Sequence, residues 1–61
     1  MDLIQNVAGE PKIYMATDAE YAQTDEQINA QIPDALPGTI VSKAGYKAMK
    51  QKDHNGSWVS L

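Results

Sequence analysis

His54 is the single histidine in a 61-residue chain without cysteine. It is therefore the one side chain whose ordinary pKa suits proton transfer near neutral pH. A histidine base needs a nucleophile or a second acid within reach. No serine stands beside it in a matching arrangement, and no glycine-rich phosphate loop accompanies it. Asp53-His54-Asn55-Gly56 shares oxygen ligands with the start of a calcium loop. It lacks the third oxygen ligand before the glycine and the distal glutamate that such a loop uses. Asp18, Glu20, Asp25 and Glu26 supply carboxylates, but they stand where the first turn of a capped helix favours acids anyway. One imidazole and no thiol exclude a disulfide, a thiolate zinc site and a histidine metal cage. The expectation is a protein that is not an enzyme and holds no metal or cofactor.

Tyr46 and Trp58 are the better candidates, as partner-binding residues. Tryptophan and tyrosine are enriched where protein interfaces concentrate their binding energy. The same pair beside lysines would also suit a peptide or glycan platform, or stacking on single-stranded nucleic acid. All five basic residues are lysines and the net charge is −3. Without arginine the bidentate phosphate and guanine contacts are missing, so no nucleic-acid partner is expected.

The elements that must position these residues are short. Residues 1–11 read as an N-terminal arm: Met1, Leu3, Ile4 and Val7 are apolar without a clean period, and Gly9-Glu10-Pro11 ends the segment. Such an arm frays unless it docks on its own domain or on a neighbour. Residues 12–61 read as one small β-rich domain. Lys12 to Ala16 is a strand candidate. Thr17-x-x-Glu20 has capping-box spacing and predicts a single turn. Thr24 followed by Asp25-Glu26-Gln27 predicts a short helix, with Ile28 and Ile32 on one face and Pro33 as its stop.

The last third predicts an antiparallel meander of 39–43, 46–52 and 57–61, with a tight Ala44-Gly45 connection. Asp53 to Gly56 is a hairpin signal. A three-residue loop, with His54-Asn55 in a type I turn and Gly56 left-handed, pairs Gln51 with Val59 and Lys52 with Trp58. Met49, Val59 and Leu61 then share one face, and Tyr46, Lys50, Lys52 and Trp58 the other. A one-residue slip would mix lysines with the aliphatics, so the pattern selects this register. The aliphatic face is expected to pack on the helix and arm, leaving Trp58 and Tyr46 outside.

Composition limits what such a domain does alone. A chain of this length buries only about 60% of its unfolded surface. Without staples, its core supplies roughly 3–5 kcal/mol. Large aliphatics number eleven of 61, near the lower edge for an ordered chain. Residues 1–36 hold seven acids against Lys12, and residues 37–61 hold four lysines against Asp53. Unlike halves of neighbouring copies would attract. No apolar run is long enough to span a membrane, and the N-terminus shows no secretory signal pattern. The expected origin is the cytoplasm, with no membrane partner.

Leu36-Pro37-Gly38-Thr39-Ile40-Val41, Ala44-Gly45-Tyr46, Met49-Lys50-Gln51 and Gly56-Ser57-Trp58-Val59 together resemble a pattern in short tailed-phage virion proteins. These include capsid auxiliary and head-fibre-type products. The resemblance covers roughly residues 36–61, with a looser echo in Ile13-Tyr14-Met15-Ala16. Head-fibre products are usually longer, so it implies a capsid-bound base or a small decoration unit. It implies no catalytic residues, and gives Trp58, Tyr46 and the arm to assembly contacts.

The reading that results is a small mainly-β (α+β) domain, an antiparallel three- to four-stranded meander with one short helix and an extended N-terminal arm. Its expected function is to bind and stabilise or decorate a phage capsid, in the virion, after synthesis in the host cytoplasm. The expected partners are the major capsid protein or another virion protein, and further copies of the chain. The expected interface residues are Leu3, Ile4, Val7, Tyr46 and Trp58. The alternative is a soluble peptide- or glycan-binding module using Trp58 and Tyr46. A third reading is an acidic regulator that binds a basic protein through its N-terminal half.

Overall fold

The computed structural model describes residues 1–6 and 12–61. Two threonines each start an α-helix. Thr17 Oγ1 accepts from the Glu20 amide at 3.1 Å, and the Glu20 carboxylate accepts from the Thr17 amide at 2.9 Å. This box opens α1, Asp18–Tyr21. Thr24 and Gln27 make the same exchange at 3.2 and 3.0 Å and open α2, Asp25–Gln31. Ile32 leaves the helical region at φ −129°, because the ring of Pro33 excludes the α conformation before it. Ile28 and Ile32 are buried, as their spacing predicts.

Among the described residues, five strands form one sheet in the order β1 to β5. They are β1 Asp2–Gln5, β2 Ile13–Ala16, β3 Ile40–Lys43, β4 Met49–Lys52 and β5 Trp58–Ser60. The meander β3-β4-β5 is antiparallel as expected. Two features correct the expected three- to four-stranded antiparallel sheet. β2 lies parallel to β3, Ile13 beside Ile40 and Ala16 beside Lys43. Parallel neighbours need a crossover of a dozen or more residues, and α1 and α2 supply it. The expected arm also contains a strand: Asp2–Gln5 pairs antiparallel with β2, with a bulge at Ile4. It docks on its own domain, and Met1 packs against the core.

The β4–β5 hairpin has the predicted register, with Gln51 opposite Val59 and Lys52 opposite Trp58. Its turn closes from the Gly56 amide to the Asp53 carbonyl at 3.3 Å, with Gly56 at φ +84°. The Asp53 carboxylate accepts from the amides of Asn55 and Ser57 at 2.9 and 2.8 Å.

The face that this register presents to the core is the reverse of the expected one. Ala16, Ile28, Ile32, Val41 and Trp58 form the core. Trp58 is 7% exposed, while Val59 and Leu61 are 51% and 70% exposed. Two physical causes favour this choice. A buried tryptophan removes about 150–250 Å² of surface from water, more than any aliphatic here, provided that its N–H finds a partner. Trp58 Nε1 donates to Asn29 Oδ1 at 2.9 Å. The lysines on the same face fold their stems beneath the helices and end on carbonyls, which costs little. Lys50 Nζ donates to the Tyr21 carbonyl at 2.6 Å, and Lys52 Nζ to the Ala35 carbonyl at 2.8 Å.

Candidate interaction surface

The helices cover one side of the sheet. Side chains alternate along each strand, so the register assigns every strand residue to a side. Leu3, Tyr14, Val41, Lys50 and Ser60 lie in one row on the helical side. Asp2, Met15, Ser42 and Met49 form a row on the other side, continued by Leu61, whose amide bonds the Met49 carbonyl. Gln5, Ile13, Ile40, Gln51 and Val59 form the next row. Tyr14 packs on the core beneath the helices, whereas Ile13, Met15, Ile40 and Met49 do not take part in it.

This open side inverts the usual polarity of a sheet with one wet face. Its apolar residues are Ile13, Met15, Ile40, Met49, Val59 and Leu61. Ile4, 41% exposed, sits at the β1 bulge between Leu3 and Gln5. All three strand lysines go to the helical side. Lys50 stands 4.5 Å over the Tyr21 ring, and Lys43 lies 3.8 Å from Asp18. Among the described strand residues Asp2 is the one charge on the open side. Its two central polar side chains are already satisfied. Ser42, fully buried, donates to the Lys43 carbonyl, and Gln51 donates to the Gly38 carbonyl.

The expected interface residues separate on this frame. Ile4 is the unpaired residue at the β1 bulge and is exposed. Leu3 sits at the sheet edge on the helical side, 45% exposed. Val7 lies outside the described residues. Tyr46 is not in a strand as expected. It follows Gly45 in the turn Ala44–Tyr46, 59% exposed and at φ +57°. Trp58 is a core residue, so stacking on a sugar, peptide or base is closed to it. Met15, Ile40 and Met49 escaped the interface expectation. Their alternation with Tyr14, Val41 and Lys50 was visible, but which side the helices cover was not.

A concavity of about 360 Å³ lies on the helical side between Met1, Tyr14, Ile32 and Leu36. Lys12 and Asp34 are the charged residues that line it. Glu20 stands nearby on α1. Its carboxyl is held below the usual range by a hydrogen bond from the Met1 ammonium at 2.8 Å, and next by the Thr17 amide. Among the described residues no three potential metal ligands come together, and no helix is long and apolar enough to cross a membrane. Comparison with protein-family models, curated proteins and solved structures gives no match.

Proposed function

We propose that the chain is a non-enzymatic structural protein of a tailed-phage particle, which binds the assembled capsid and stabilises or decorates it. The observation that supports this reading is the open sheet side, apolar from β2 to β5 and, among the described strand residues, charged at Asp2 alone. A lone soluble domain rarely leaves such a patch in water, and patches of this kind mark protein contacts. The resemblance of residues 36–61 to capsid auxiliary and head-fibre products supplies the class of assembly. A shell repeats one site many times, so a domain with a thin core gains order from being bound. The major capsid protein or another virion protein is then the surface on which it sits.

The test is co-sedimentation with intact particles from the source, comparing the native chain with Val59→Lys and Glu26→Lys. Val59 is on the open side and 51% exposed, so its lysine variant folds. Glu26 lies in the first turn of α2. Val59→Lys is expected to leave the particle fraction while Glu26→Lys stays in it. If native chain stays at the top of the gradient, away from the particles, the capsid reading is wrong.

A further inference from the structure

We infer that the partner covering the open sheet side is a second copy of this chain, packed face to face so that two sheets enclose a shared core. This rests on the reading above that the open side is covered by protein. Three observations choose the occupant. First, the side carries Asp2 at one edge and no other charge among the described strand residues, so two identical faces meet without like charges opposing at the centre. The four acids at the helix starts (Asp18, Glu20, Asp25 and Glu26) belong to the layer on the far side of the sheet.

Second, the centre of the side asks nothing polar of its partner, Gln5 lying at the β1 edge beside Ile13. Ser42 and Gln51 are bonded within the chain. Among the described residues no buried side-chain polar atom lacks a partner. A face of this kind selects by shape and apolarity alone, and its own copy offers both. Sheets stacked about 10 Å apart let such side chains interdigitate.

Third, the area is sufficient for a specific though weak pair. The molecule measures 27 × 22 × 20 Å. Two of its faces meeting remove on the order of 1,000 Å² from water, where specific interfaces begin. The expected dimer is therefore micromolar and reversible, so that a copy can leave its partner's face when that face meets the shell. A closed two-fold pair also uses each face once, and so does not grow into fibres.

Sedimentation equilibrium of the full chain over a range of concentrations tests this. The expected result is a mass rising from 6.7 kDa toward twice that value, with dissociation constants raised about 100-fold or more by Val59→Lys and by Met15→Lys. Each variant would bring a pair of like charges into the interface. Circular dichroism checks that both variants remain folded. A native mass that stays at 6.7 kDa up to about millimolar concentration, well above the micromolar range expected for this area, overturns the inference. Dimers that persist unchanged in both variants overturn it as well. Particle binding by a chain that stays monomeric would reject the second copy and leave the capsid reading standing. A dimer that never joins particles would do the reverse.

Discussion

Asn29 joins α2 to the β4–β5 hairpin by two bonds, and replacing it isolates the contribution of Trp58 to the core. Its Oδ1 accepts from Trp58 Nε1 at 2.9 Å, and its Nδ2 donates to the Gly56 carbonyl at 2.9 Å. Asn29→Ala removes both partners at once. It leaves an indole N–H in a residue 7% exposed and a half-buried carbonyl in the turn. An unsatisfied buried group costs about 1–3 kcal/mol. The half-exposed carbonyl recovers water, so the sum is about 2 kcal/mol. Against a total stability of roughly 3–5 kcal/mol for a chain of this size, that is a large fraction. Urea unfolding reads it through the only tryptophan, Trp58. With a slope near 1 kcal/mol/M for so small a domain, the midpoint should fall by about 2 M. The native emission should also shift to the red, because the indole gains water. A midpoint within about 0.5 M of native, with unchanged emission, would refute the placement of Trp58 in the core.

Other perturbations follow from the same geometry. Tyr46 holds φ +57°, a conformation costing about 1–2 kcal/mol for a residue with a Cβ. Asparagine tolerates it, so Tyr46→Asn should raise the melting temperature by about 4–8 °C, and an unchanged or lower value would contradict the strain. Gly56 is at φ +84°, and a methyl added there would meet only Asn29 Nδ2, at 3.9 Å. Gly56→Ala should thus cost about 1–2 kcal/mol through backbone strain alone, read as a lower urea midpoint with register intact by NMR. Glu20 is held below its ordinary pKa by the Met1 ammonium and the Thr17 amide. Its contribution is present at neutral pH and lost as pH falls below about 4.3 through the folded value. Glu20→Gln keeps the capping box, as Gln27 does in α2, and should flatten the acid limb of the melting profile. An unaltered acid limb would count against this linkage.

Local signals in the sequence were specific where a backbone requirement stood behind them. Thr17-x-x-Glu20 and Thr24-x-x-Gln27 each form the box their spacing predicts. Asp53 to Gly56 fixes the hairpin loop, and with it the pairing of Gln51 with Val59. Which face turns inward was not readable from alternation. Met49, Val59 and Leu61 look like a core stripe, and Lys50 and Lys52 look like a wet one. The outcome depended on Trp58 finding Asn29, 29 residues earlier, and on lysine heads reaching the Tyr21 and Ala35 carbonyls. Those are tertiary facts. The parallel β2–β3 pair was hidden for a similar reason, since nothing in Ile13 to Ala16 names its neighbour. The two capping boxes between the strands were the available sign of a crossover.

The same inward turn explains the uneven charge along the chain. Lys43 meets Asp18, and Lys50 lies over Tyr21 at the end of α1. The acidic helical layer and part of the basic C-terminal third thus meet within one molecule. Head-to-tail attraction between copies is not needed to account for the asymmetry, and the proposed contact side carries Asp2 alone among the charged strand residues described.

Methionine oxidation tests the contact side most directly, because Met15 and Met49 mark it on two of its strands. Peroxide would be applied to the dilute chain and to the particle-bound chain, and sulfoxide at each methionine followed by mass spectrometry. Burial of the open side predicts that Met15 and Met49 react several-fold more slowly in the bound state. Equal rates in both states, together with new amide protection across α2, would place the contact on the helical side and contradict the docking surface described above.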